Sequence, residues 1–215
     1  MGHRFFSAGL PHIAELILGR RMSPGPDWMH SVKGFARREF QLVLLRRMAD
    51  YQPDLVTAAM RSLDASRTEM RQVNARWQRI LRSSRFPAGQ RRLRMVLGPP
   101  ADGADRRVGD VTCRTDWWHL PLWPDLRFEA LIGPDGSVLH EWLVRPEEAP
   151  APRLDGVADL TPWSCVVGDV AEKFPPAHHQ ADTLPSRWQV TFSTPGARSY
   201  VAHFVWGLLQ AVKEQ

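Results

Sequence analysis

Four residues near one predicted turn have types that could do chemistry: Arg127, Glu129, His140 and Trp142. They lie in two segments, 126–132 and 137–144, that flank Gly133-Pro134-Asp135-Gly136, a strong hairpin signal. A turn centred on Pro134-Asp135 sets Glu129 opposite His140 and Arg127 opposite Trp142. Opposed residues share a sheet face, so the four stand together. Leu126, Phe128, Ala130, Leu139 and Leu143 then take the core side, with Glu141 as an exception among them. A Glu–His pair is what a general base with an orienting carboxylate requires, so Glu129 and His140 are the candidate catalytic residues. Arg127 beside Trp142 suits an anionic or aromatic ligand. The plainer reading is a solvent-facing sheet surface with favourable cross-strand pairs, and a one-residue bulge would dissolve the constellation.

Two further groups have binding chemistry. Arg67, Arg71, Arg79, Arg82 and Arg85 fall on one arc, about 120° wide, of a helix predicted from Ser66 onward. Such a stripe can neutralise phosphates, which makes it a candidate nucleic-acid or anion surface. Trp77 sits on the opposite, apolar arc with Met70, Val73, Ile80 and Leu81, away from the arginines. The plain alternatives are a solvated face, or one that docks onto the acidic C-terminal half. The second group is aromatic. Trp117 and Trp118 are neighbours on a predicted strand and point to opposite faces, so one of them leaves the core. With Trp123 they are candidates for a ligand-binding aromatic patch, since exposed tryptophan marks binding surfaces.

No metal or cofactor is expected. His178-His179 is adjacent rather than at helical spacing, although Asp182 is close by, and His119 and His140 lie elsewhere. His203 reads as a packed core residue. Cys113 and Cys165 form no metal or redox motif, and Cys165 has no basic neighbour in sequence to activate it. Phosphate-binding, dinucleotide, serine-elbow and zinc-protease signatures are all missing. Those absences weigh against the common nucleotide-, nicotinamide- and serine-dependent enzymes.

The elements that must position these groups differ between the halves. A short helix follows Pro11, and Pro24, Gly25 and Pro26 then mark a linker. Ser31 caps a helix running to about Asp50, whose run Leu42-Val43-Leu44-Leu45 implies burial on more than one side. Pro53 opens a third helix. Ser66 and Glu69 form a capping box for the fourth. Pro87 opens a fifth that stops at Gly98. Residues 101–107 read as a polar loop and the boundary between the halves. Beyond it come an alternating strand through Val111, Cys113, Thr115 and Trp117, and then the hairpin. A helix follows from Thr161 and Pro162 through Trp163 and Val166 to Phe174, and then a strand through Trp188, Val190 and Phe192. A closing helix carries Val201, Phe204, Val205, Leu208 and Val212.

These elements imply an α+β fold: an N-terminal helical segment followed by a small, mostly antiparallel sheet with packed helices. The expected divisions are residues 1–30 as helix and linker, 31–98 as a basic helical subdomain, and 108–215 as a tryptophan-rich α+β subdomain. Charge follows the same division. Up to Gly98 there are 18 basic residues against 7 acidic; after it there are 10 against 16. Only three of the 28 basic residues are lysine, which with abundant Ala, Gly and Pro suggests a GC-rich bacterial source. No stretch approaches the roughly 20 apolar residues of a membrane span. Two cysteines without a framework fit a cytoplasmic protein. The leading expectation is a non-catalytic protein-interaction or accessory module with a protein partner or a second copy of itself. The alternatives are a small enzyme of specialised metabolism using the hairpin face, and a nucleic-acid-binding protein using the arginine face.

Overall fold

Four helices open the part of the chain that the computed structural model describes, residues 34–181 and 184–215. The helix after Pro11, the linker, the Ser31 cap and Asp182 lie outside the described residues. The helices are α1 (Arg37–Met48), α2 (Pro53–Ser62), α3 (Arg67–Arg82) and α4 (Gly89–Leu97). The Leu42–Leu45 run of α1 is at most 2% exposed, as a helix covered on several sides requires. Phe40 meets Trp77 of α3 on one side (ring centroids 5.6 Å) and Phe128 of the first sheet on another (5.0 Å). Ser66 caps α3 by accepting the Glu69 N–H at 3.1 Å. The Glu69 carboxylate does not return to complete the box, because Arg38 takes it at 2.6 Å. Arg38 also donates to the Leu63 and Asp64 carbonyls, which closes the end of α2.

Two four-stranded antiparallel sheets follow, each a meander in chain order. The first is β1 (Asp102–Val108), β2 (Val111–His119), β3 (Arg127–Ile132) and β4 (Val138–Val144). The second is β5 (His178–Ala181), β6 (Arg187–Ser193), β7 (Ser199–Val205) and β8 (Leu208–Glu214). Between them lies α5 (Val167–Lys173). The fold is α+β as expected, with more sheet than the pattern implied.

Three readings of the second half are corrected. Residues 101–107 are not a loop: they make edge strand β1, paired to β2 through the two-residue turn Gly109-Asp110. The strand is exposed along nearly its whole length, so no apolar alternation betrays it. The helix predicted from Thr161 is confined to α5. Trp163 adopts φ +67, and the segment after it runs beside β8, where Trp163 N–H donates to the Leu209 carbonyl and Leu209 N–H to the Cys165 carbonyl. The closing helix is the β7–β8 hairpin. Its two-residue turn, Trp206-Gly207, has positive φ at both positions (52° and 77°), the conformation that matches hairpin twist.

The first sheet packs one face on the helices. Trp118, Phe128 and Leu143 are almost fully buried there, and the Trp118 indole donates to the Gly98 carbonyl at 3.0 Å. Asp116 is wholly buried on the same face. Burial alone would raise its pKa, but hydrogen bonds from Arg94, Gln90 and Arg114 outweigh it and hold the carboxyl below its ordinary value. The second sheet buries Val190, Phe192, Tyr200, Ala202 and Phe204 beneath Leu154, Leu160, Val170 and Phe174. Gly34–Gln215 form one compact unit. Arg187 of β6 pairs with Asp50 at 2.8 Å, and Gln52 donates to the Gln210 carbonyl at 2.6 Å.

The sheets meet at the Trp206-Gly207 turn. Leu143 N–H of β4 donates to the Trp206 carbonyl at 2.7 Å, and Val167 N–H to the Gly207 carbonyl at 3.1 Å. A Cβ on Gly207 would lie 2.5 Å from the Leu143 carbonyl oxygen. With that clash and a positive φ, Gly207→Ala should cost at least about 2 kcal/mol in urea unfolding. Gly196→Ala, with open space around it, should stay within about 0.5 kcal/mol.

Asp116→Asn should cost about 1–3 kcal/mol, less than a fully enclosed pair, because Arg94 and Arg114 are partly solvated. A depressed folded-state pKa gives stability that is present above the unfolded value and lost as pH falls through the folded one. Acid unfolding of the wild type should therefore be steeper with pH than that of Asp116→Asn.

Candidate functional site

The face of the first sheet turned away from the helices carries the predicted constellation, but with different pairings. Glu129 opposes Trp142, Leu131 opposes His140 and Arg127 opposes Val144. The expected Glu129–His140 and Arg127–Trp142 pairs are therefore corrected by two residues. The loop runs through Gly136 at φ +80, and Leu139 bulges out of register between Val138 and His140. The bulge leaves Leu139 55% exposed instead of in the core. A shift of two preserves the face, so Arg127, Glu129, His140 and Trp142 still share one side.

Their chemistry follows from their neighbours. Glu129 is buried on this face; Arg127 donates to it at 3.4 Å, the Trp142 indole donates at 3.4 Å, and Arg106 stands 3.8 Å away. Two guanidiniums thus share one carboxylate, and the Arg127 guanidinium also lies 4.3 Å from the centre of the Trp117 ring. His140 does not join this group. It packs between Trp142 and Trp188 of β6, at centroid distances of 3.5 and 4.7 Å. Its Nε2 is shielded without a hydrogen-bond partner. Burial pushes its pKa down to about 4, so the ring is neutral at pH 7. A carboxylate held by two arginines and a neutral imidazole paired elsewhere do not make a base with its orienter.

A cavity of about 650 Å³ opens beside this face, between β4, the loop after it, α5, β5 and the Gly207 turn. Trp142, Val144 and Val166 give it apolar walls, and Arg106, Glu147, Glu172 and His179 give it polar ones. Neither Glu129 nor His140 lines it. Arg145 stiffens the wall: its Nε reaches both Asp169 oxygens (3.1 and 3.2 Å), and it also donates to the Pro150 and Ser164 carbonyls. Asp169 in turn accepts the Val166 N–H at 2.9 Å. Arg106 escaped the sequence pattern because it lies in the strand taken for a loop.

The remaining candidates divide. Trp118 is the core member of its pair and Trp117 the half-buried one under Arg127. Trp123 is buried against Trp163 (6.1 Å), so the aromatic group on the outer face is Trp117, Trp142 and Trp188 instead. Arg67, Arg71, Arg79, Arg82 and Arg85 are all exposed; Arg67 donates to Thr57 at 3.1 Å. The acidic half does not cover them. Trp77 is 4% exposed and stacks on Phe35. His178 and His179 sit next to each other on a strand and project to opposite faces. Among the described residues, no group of three His, Cys, Asp or Glu side chains is placed to hold a metal ion. His203 is a strand residue, half-buried 6.3 Å from Tyr51. The Cys165 thiol is raised by burial, an inert setting. No helix among the described residues is long and apolar enough to cross a membrane.

No protein-family model matches the chain, and no curated protein matches it. Among solved structures, a "putative beta-lactamase inhibitor protein" from Streptococcus mutans aligns over 60% of this chain and 82% of its own. The identity is 12% and the TM-score 0.27, a likeness that carries no argument.

The neutral His140 gives a spectroscopic test. Its ring signals in an NMR titration should stay those of neutral imidazole until pH approaches about 4. A midpoint near the ordinary histidine value, about 6.5, would mean that the ring is not packed between the two tryptophans.

Proposed function

We propose that the chain is a non-catalytic interaction module of a bacterial cytoplasmic system, and that it takes a segment of a partner protein into the cleft between its sheets. The observation that carries this reading is the composition of the cleft. Its volume is ligand-sized, and it has an aromatic wall in Trp142 and a half-exposed cation in Arg106. The acid and base candidates, Glu129 and His140, lie outside it. An anchor of this kind suits an apolar side chain against Trp142 and Val144, with a neighbouring carboxylate on Arg106. Both cysteines are buried and free, which fits a reducing compartment.

Affinity capture from the source cells, followed by light scattering on the eluted complex, tests the reading. Wild-type protein should retain a partner, and Trp142→Ala or Arg106→Glu should weaken it by about 30-fold or more, the loss of about 2 kcal/mol typical of a central anchor. A clean monomer, or equal retention by both variants, would count decisively against it.

A further inference from the structure

Arginines without a partner are most frequent in one segment of the chain. Residues 65–98 contain nine arginines and a single acidic residue, Glu69, which Arg38 already occupies. Several of the nine have internal work. Arg94 holds Asp116, Arg92 lies over Trp77 and Arg76 over Phe35. Arg71, Arg79, Arg82, Arg85 and Arg91 are exposed, and their side chains have no carboxylate partner among the described residues.

Beyond the end of α3 lies a wide groove between residues 84–92 and the β3–β4 turn. Arg85, Arg91 and Arg92 line it. Its carboxylate, Asp135, is engaged by Ser137, which donates both its N–H and its hydroxyl to Oδ1 at 3.0 and 2.7 Å. Uncompensated like charges on one face repel each other, and a polyanion would relieve that repulsion.

Size and composition select the polyanion. Arg67 to Arg82 spans fifteen helical steps, about 22 Å. One phosphate group cannot engage such a length, whereas a duplex, which carries one charge per roughly 1.7 Å of its axis, presents several phosphates along it. Among the described residues this segment offers no stacking platform: Phe35, Trp77 and Phe86 are each at most 6% exposed. Single-strand binders rely on exposed aromatic platforms, so their lack among the described residues of this segment favours a duplex. A bilayer is disfavoured as well, since Leu81 is the one large apolar side chain exposed on this helix.

We infer that the chain binds the phosphate backbone of a nucleic-acid duplex, without sequence preference, through Arg71, Arg79, Arg82, Arg85 and Arg91. This surface lies apart from the cleft and stands whether or not the cleft takes a protein.

Fluorescence anisotropy with a short labelled DNA duplex, titrated between about 50 and 200 mM salt, tests it. Binding should weaken along a log–log line whose slope grows by about 0.9 for each arginine engaged. The double variant Arg79→Gln/Arg82→Gln should lower that slope by about 1.8 and weaken binding equally on unrelated duplex sequences. Trp142→Ala should bind as wild type does, which separates this surface from the cleft. The replaced arginines make no side-chain bond among the described residues, so circular dichroism and melting of the double variant should match the wild type. Should the variant melt early, the wild-type slope alone decides: a magnitude below about 1.8 means fewer than two arginines engaged and overturns the proposal. Absence of binding at the lowest salt overturns it too. So do tighter binding of the matching single strand, displacement by polyglutamate as effective as by duplex, and anionic vesicles binding as well as DNA.

Discussion

One backbone contact sets where the second sheet stands against the first. The Trp206 carbonyl accepts the Leu143 N–H of β4, and Gly207 lets the turn come close enough to do so. Only a residue without a side chain fits there, and only a turn with two positive φ values presents its carbonyl this way. Several features follow from that approach. Trp188 of β6 reaches His140 and Trp142 across the junction. Val167 N–H is held by the Gly207 carbonyl, which fixes the start of α5. β4, the start of α5 and Gly207 of this turn also line the cavity.

A second constraint is the use of arginine as a connector. The guanidinium offers five donors in a planar fork, and this chain spends several forks on carbonyls and carboxylates that would otherwise be buried alone. Arg37 satisfies the last carbonyl of α4, Arg38 closes α2 and holds Glu69, and Arg145, just past β4, ties α5 to the loop that precedes it. Arg94 and Arg114 keep Asp116 charged in a fully buried position. Lysine, a point charge with three donors, could not replace these forks, which gives a structural reason for some of the arginine excess. It gives none for Arg71, Arg79 and Arg82 of α3, which have no carboxylate partner among the described residues.

How far the sequence could be read depended on which interactions decide each element. The helices of the first half were legible because local chemistry fixes them: Pro53 opens one, Ser66 caps another and Gly98 ends a third. Edge strand β1 was not, because both of its faces meet solvent and neither has a reason to be apolar. The β7–β8 hairpin was misread because Val201, Phe204, Val205 and Leu208 fall at helical spacing, while β7 is buried on both faces and so shows no alternation of period two. What separates the two is the Trp206-Gly207 turn, and tryptophan at positive φ is not a residue that turn chemistry anticipates. Its conformation is held by the tertiary contact to β4. The same holds at Trp163, whose φ of +67 is fixed by pairing with β8.

The hairpin face was legible for a different reason. A strand's side chains alternate with period two, so an error of two residues in register changes every partner and moves no residue to the other face. That parity kept Arg127, Glu129, His140 and Trp142 together while dissolving the Glu129–His140 pair on which a catalytic reading depended. What parity cannot supply is the neighbour across the junction. Trp188 is 48 residues from His140 along the chain, yet it lies 4.7 Å from it in space and helps bury the ring. The site therefore changes character with its surroundings. In sequence it is a general base beside a carboxylate. In the folded chain it is a neutral ring between two tryptophans, next to a carboxylate already shared by two arginines, and the members of this face that reach the cavity are Trp142 and Arg106.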